Sequence, residues 1–238
     1  MRWSMVTECG PVRRKNEDAL CTCPELGLFV VADGMGGHKA GDVASKLAID
    51  TLRDHIKKNY EAGGVSKELL AASIRRANDA VYRSAGDNAW KKGMGTTITA
   101  FLFKEDFLWV ANVGDSRALL LRDGKLSKLT SDHSLVQELI DGGGISEQDA
   151  ASHPRRNVLT RALGIGPRVE ADIYEYRVAP GDRFLICTDG LSGFVNKQRL
   201  AQVMALPVDA EEIVRLLLQE AISAGSNDNI TMIYLAVE

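Results

Sequence analysis

Residues 28–32 (Leu-Phe-Val-Val-Ala) are apolar at every position, and the run stops at Asp33-Gly34. That pattern predicts a buried strand ending in a loop. The period then changes. Val43, Leu47, Leu52 and Ile56 recur at helical spacing over residues 40–59, and Leu69, Leu70, Ile74, Ala77 and Val81 do so over 66–88, with Ser66 as N-cap. Residues 97–103 and 107–113 read as strands joined by Lys104-Glu105-Asp106. Residues 117–122 turn at Asp123-Gly124 into 125–129, a hairpin signal.

From 131 to 166 the chain is polar, carries Gly142-Gly143-Gly144 and mixes a short helical piece with irregular sequence, as lids and binding loops do. Strands return at 171–178 and 183–188. Two short helices follow, the second opened by Asp209 with Glu212 three residues on, an arrangement like a capping box. A last strand is expected over 230–237. Helices separate blocks of adjacent strands instead of alternating with them singly, which favours antiparallel sheets with helix layers over a doubly wound parallel sheet.

With 238 residues the chain is one large domain or at most two small ones. A chain of that size buries roughly three quarters of its unfolded surface, so it needs no disulfide or metal to fold. Its 29 Lys+Arg against 32 Asp+Glu leave a net charge of −3, without the basic excess of a phosphate-neutralising nucleic-acid binder. No apolar run approaches the ~20 residues of a membrane span, and residues 1–8 lack a signal-peptide core. Cys9, Cys21, Cys23 and Cys187 form no Cys-x-x-Cys pair and read as reduced, small apolar fillers. The expectation is a soluble, cytoplasmic protein that binds neither membrane nor nucleic acid.

Three motifs fail on inspection. Gly34-Met35-Gly36-Gly37-His38-Lys39 has Lys at the sixth position of the dinucleotide pattern and no closing Gly-Lys-Ser/Thr. Gly190-Leu191-Ser192-Gly193 has Phe194 where a nucleophile elbow needs its last glycine. His38, His55, His133 and His153 show no zinc-hydrolase spacing, and His55 reads as a surface or packing residue.

What remains is an acidic residue wherever an apolar strand stops or starts: Asp33, Asp115, Asp189 and Asp228, with Asn16-Glu17-Asp18 ahead of Ala19-Leu20. Carboxylates on strand ends can converge on one point, and a converged cluster needs a cation to offset its repulsion. Oxygen ligands without clustered Cys or His favour Mg²⁺ or Mn²⁺. Each Asp-Gly taken singly is also ordinary turn chemistry.

Six motifs occur in order: Arg13-x-x-Asn16-Glu17-Asp18, Val31-Ala32-Asp33-Gly34-Met35-Gly36-Gly37-His38, Gly95-Thr96-Thr97, Gly114-Asp115-Ser116-Arg117, Asp189-Gly190 and Asp228-Asn229-Ile230-Thr231. In these the chain resembles the bacterial form of the metal-dependent serine/threonine protein phosphatases, the type 2C family, over almost its whole length. The resemblance implies an αββα sandwich of two antiparallel sheets flanked by helices, as one catalytic domain over 1–238 with a variable flap at about 131–166.

It further implies that Asp33 bridges two Mn²⁺ or Mg²⁺ ions and that the Gly34 carbonyl binds one of them. Asp189 and Asp228 would complete one shell; Glu17 would serve the other, with Asp18 touching its waters or binding directly. Asp115 with Asp189 would hold a weaker third ion. Arg13 would hold the substrate phosphate in a bidentate manner that lysine cannot match. The two ions would activate a bridging water for in-line attack on phosphorus, without a covalent phospho-enzyme.

Met35 stands where eukaryotic relatives carry a histidine proposed as general acid, and with His38, His153 and a metal-bound water as alternatives the acid stays unassigned. In the flap, Gly142-Gly143-Gly144 would permit movement, and Arg155-Arg156 either meet the substrate or are a solvated pair. The function implied is hydrolysis of phosphoserine and phosphothreonine in proteins, opposing a Ser/Thr kinase, by a monomer with no attached kinase or receptor. Two rivals are a phosphoesterase for small phosphorylated molecules and an inactive phosphatase-like adaptor, which predicts lost ligands; Asp33, Asp115, Asp189 and Asp228 all stand.

Overall fold

The computed structural model describes residues 1–36, 40–87 and 89–238, without the side chains of 61–63, 89, 147, 151 and 152. Gly37 and His38 lie outside the described residues. In chain order the elements begin with β1 (Arg2–Glu8), β2 (Ala19–Cys23), β3 (Leu28–Ala32), β4 (Gly34–Met35), α1 (Gly41–Gly63) and α2 (Lys67–Asp87). Then come β5 (Gly95–Thr96), β6 (Ile98–Lys104), β7 (Phe107–Val113), β8 (Arg117–Arg122), β9 (Lys125–Lys128), α3 (Leu135–Asp141) and α4 (Glu147–Ser152). β10 (Asp172–Arg177), β11 (Arg183–Cys187), α5 (Asp189–Ser192), α6 (Lys197–Met204), α7 (Ala210–Ser223) and β12 (Ile230–Ala236) complete the fold.

Two five-stranded sheets, ordered β1-β12-β11-β8-β9 and β10-β7-β6-β3-β2, pair antiparallel throughout. Their facing sides share one apolar core, including Phe29, Val31, Phe101, Val110, Leu120, Phe184 and Ile233. The alternate residues of β3, namely Leu28, Val30 and Ala32, turn the other way onto α1 and α2. On the second sheet, Leu185, Cys187, Met232 and Tyr234 turn onto α6 and α7. A strand covered on both faces reads as an unbroken apolar run, which is why 28–32 shows no alternation.

The layering is the αββα sandwich expected from sequence. Three differences have local causes. β1 was not anticipated: as an edge strand on β12 it is half exposed, so its apolar positions are diluted by Arg2, Ser4, Thr7 and Glu8. The two-residue strand β4 pairs with β5, so Asp33-Gly34 leads into a second small sheet and not a free loop. Three helices follow β11 instead of two, and α7 runs 14 residues. Asp209 caps it by accepting from the Glu212 N–H at 2.8 Å, but the Glu212 carboxylate pairs with Arg215, so the box is one-sided.

Residues 131–166 hold two short helices, capped by Ser134 and Ser146. Among the described residues no helix is long and apolar enough to cross a membrane.

Candidate active site

The β3 end is fixed first. The Asp33 N–H donates to Thr97 Oγ1 at 2.9 Å, and its carbonyl accepts from the Thr97 N–H and from Thr96 Oγ1, both at 2.9 Å. Thr97 Oγ1 lies 2.9 Å from Ser116 Oγ, which joins the Asp33 strand end to the Gly114-Asp115-Ser116 turn. Gly114 has φ +109°, and a Cβ there would stand 2.5 Å from Thr97 Cγ2, so only glycine fits both the backbone and the space.

Glycine is required at position 34 for a different reason. A Cβ there would meet the Gly41 carbonyl at 2.1 Å and the Glu17 carbonyl at 2.4 Å. The Gly34 N–H donates to that Glu17 carbonyl at 3.2 Å, drawing the N-terminal segment against Asp33. Asn229 completes the join. Its Oδ1 accepts from the Glu17 N–H at 2.8 Å, and its Nδ2 donates to the Lys15 and Cys9 carbonyls, both at 2.9 Å.

Arg117 spans the second sheet's end. It holds Asp132 through Nε and Nη2 at 3.0 and 2.8 Å and reaches the Ser192 carbonyl of α5 at 3.1 Å.

The result is one cleft lined by Arg13, Glu17, Asp33, Gly34, Asp115, Asp189 and Asp228, with Met35, Asn157 and Leu159 at its wall. Asp18 does not line it. It lies behind, its Oδ2 accepting from Thr188 Oγ1 at 2.9 Å. Arg155 and Arg156 are exposed and, with His153, stand outside the lining residues. Met35 reaches the cleft but carries no proton to donate.

The carboxyls face the cleft on one side and protein on the others, and their titration reflects this. Burial first, then repulsion from Asp18, Asp189, Asp115 and Asp228, pushes Asp33 far above the usual carboxylate range. Burial pushes Asp18 and Asp115 up to about 7, each with help from Asp189. Burial, then the Asp228 charge, raises Asp189. Such a group of acids holds protons or cations.

A divalent ion fits this donor set. Apart from Arg13, the Thr97 hydroxyl and amides, the polar groups are carboxylate or carbonyl oxygens, and Asp189 Oδ1 is buried with no hydrogen-bond partner among the described residues. The side chains do not already stand as a finished ligand shell. Among the described residues no three His, Cys, Asp or Glu groups are poised to hold an ion. On Asp228 the Arg13 guanidinium stands at 2.7 Å, where a cation would otherwise lie.

Sequence reasoning found the acids but gave no role to Thr97, Asn229 or His133. All three are buried and bond backbone at or beside a site acid, Thr97 at Asp33, Asn229 at Glu17 and His133 at Gly114, partners that lie far away in sequence.

Fold and site together define an αββα sandwich with an oxygen-rich acidic cleft and an arginine at its rim. The family model for protein phosphatase 2C matches residues 13–221. The serine/threonine protein phosphatase PstP of Mycobacterium tuberculosis is 39% identical over 233 residues, covering 98% of this chain and 44% of that protein. The chain thus spans less than half the length of that relative. The serine/threonine phosphatase stp of Listeria monocytogenes is 37% identical over 233 residues, covering 95% of this chain and 92% of its own. The catalytic domain of PstP, solved in complex with two manganese ions, superposes with a TM-score of 0.88 at 35% identity, covering 100% of this chain and 98% of that one. This chain belongs to the protein phosphatase 2C family.

Proposed function

We propose that this chain is a metal-dependent protein phosphatase that hydrolyses phosphoserine and phosphothreonine in proteins. One observation carries the reading: seven of the eight residues singled out from sequence, drawn from separate segments, line a single cleft. Asp33, Asp189, Asp228, Glu17 and the Gly34 carbonyl would hold two Mn²⁺ or Mg²⁺ ions, Asp115 with Asp189 a weaker third, and Asp18 would support them from behind. Bound there, the ions supply Lewis acidity and an activated water.

Arg13 stands at the rim to take the phosphate oxygens, with its Nε donating to the Asn227 carbonyl at 3.3 Å to set its approach. A cysteine nucleophile is not needed. Cys187 is wholly buried and its thiol is pushed by that burial up to about 12. The flap would be residues 131–166, which bring Asn157 and Leu159 to the cleft wall.

The same reading places the phosphatase in the cytoplasm as a monomer, with a cognate Ser/Thr kinase as the source of its substrates and without membrane or nucleic-acid partners. The four free cysteines are in keeping with a reducing compartment. The test is phosphate release from a phosphothreonine peptide set beside a panel of phosphorylated small molecules. Preference for the peptide is expected; preference for a metabolite would overturn the protein-substrate assignment.

A further inference from the structure

His133 is buried at 5% exposure, and none of the metal or phosphate roles above uses it. Its ring bridges two structures. Nδ1 accepts the Gly114 N–H at 3.1 Å, so that nitrogen is bare and the ring proton sits on Nε2. Nε2 then donates to Asp172 Oδ2 at 3.1 Å. The backbone closes the same contact from the other side, with the His133 N–H donating to the Gly114 carbonyl at 2.9 Å. Asn112 Nδ2 donates to that carbonyl as well, at 3.1 Å.

Asp172 is itself held. Arg161 Nη1 donates to its Oδ1 at 2.7 Å and Tyr174 Oη to its Oδ2 at 3.2 Å. The imidazole is therefore fixed at one end by a carboxylate with three donors and presents a bare nitrogen to a single backbone amide. That amide belongs to the residue before Asp115, in a left-handed turn only glycine can make.

We infer that His133 is a positioning residue that fixes the Gly114 peptide and so aims the Asp115 carboxylate into the cleft. The inference rests on the proposed role of Asp115 as an ion ligand. The arrangement follows the logic by which outer-shell partners orient metal ligands, here through the backbone amide next to the ligand and not the ligand itself.

Two substitutions separate positioning from packing. In His133→Asn, Oδ1 takes the place of Nδ1 and can still accept the Gly114 N–H. In His133→Gln, the side-chain amide reaches Asp172 but leaves the Gly114 N–H without its acceptor. Mn²⁺ binding to the full chain is read from the electron paramagnetic resonance of free Mn²⁺, with Asp115→Asn as reference. Expected are a weakest Mn²⁺ step loosened about 10- to 100-fold by both Asp115→Asn and His133→Gln, and nearly parental binding by His133→Asn.

Parental Mn²⁺ binding in Asp115→Asn would overturn the ligand reading beneath the inference. A loss in Asp115→Asn with none in His133→Gln, or equal losses in both His133 variants, would overturn the positioning role alone. Should His133→Gln not fold, ¹⁵N resonances of the unaltered protein decide: a bare Nδ1 and protonated Nε2 support the inference, and the opposite tautomer overturns it.

Discussion

Arg13 Nη2 donates to Asp228 Oδ2 at 2.7 Å, so the residue suited to a substrate phosphate is paired with one suited to a metal ion. The two proposed roles are linked: an ion held by Asp228 would release the guanidinium for phosphate.

Arg13→Ala therefore raises the KM for a phosphopeptide roughly 10- to 100-fold, since hydrogen bonds to charged groups are worth about 1.5–3 kcal/mol. Mn²⁺ binds the variant at least as tightly, because nothing competes for Asp228. Steady-state kinetics and a Mn²⁺ titration check both halves, and an unchanged KM contradicts the phosphate role.

The metal-free protein should lose stability as pH rises between about 4 and 7. Asp18 and Asp115 titrate at about 7 when folded but near 4 when unfolded, so the folded state holds the extra protons between those values. Stability conferred by the protonated acids is complete below about pH 4 and is gone once pH passes about 7. Thermal melts in chelator should show Tm falling across that window, and saturating Mn²⁺ should flatten the slope. A Tm that rises with pH through the same window in chelator would contradict the acid cluster's electrostatics.

Asp33→Asn removes a carboxyl that burial, then repulsion from Asp18, Asp189, Asp115 and Asp228, pushes far above the usual carboxylate range. In chelator the variant should melt above the parent at pH 8, while Mn²⁺ should stabilise it far less. Equal stabilisation of both proteins by Mn²⁺ would remove Asp33 from the ligand set.

Arg117→Met leaves Asp132, 7% exposed, with Lys128 at 3.2 Å as its one remaining cationic partner among the described residues. Uncompensated buried charge costs about 3–5 kcal/mol; the remaining lysine should hold the loss in a urea melt to roughly the lower end of that range. Asp132→Asn in the Arg117→Met background should recover part of it, and no recovery would mean that packing and not charge sets the cost.

Phe101→Ala opens the space between the sheets, where the ring meets Phe184 at 5.7 Å between centroids. Truncating a buried phenylalanine costs about 3–5 kcal/mol, to be read in a urea melt, with a loss below 1 kcal/mol counting against a shared core at that point.

The layers and the acids were readable because both rest on strong local signals. Unbroken apolar runs mark strands covered on two sides, and Asp33, Asp115, Asp189 and Asp228 each interrupt or adjoin such a run. β1 was missed because an exposed edge strand blurs its own pattern. The β4–β5 pair was missed because two residues carry no period. The roles of Asn229 and His133 were illegible for a different reason: each bonds backbone far away in sequence, Asn229 to Cys9, Lys15 and Glu17, and His133 to Gly114, and only the folded chain brings those partners together.

Phosphate release from a phosphothreonine peptide by the chelated protein, before and after Mn²⁺ is restored, tests metal-dependent phosphatase activity most directly. Negligible release in chelator, full recovery with Mn²⁺ and loss of orders of magnitude in Asp189→Asn are expected. Undiminished release in thorough chelation would contradict it.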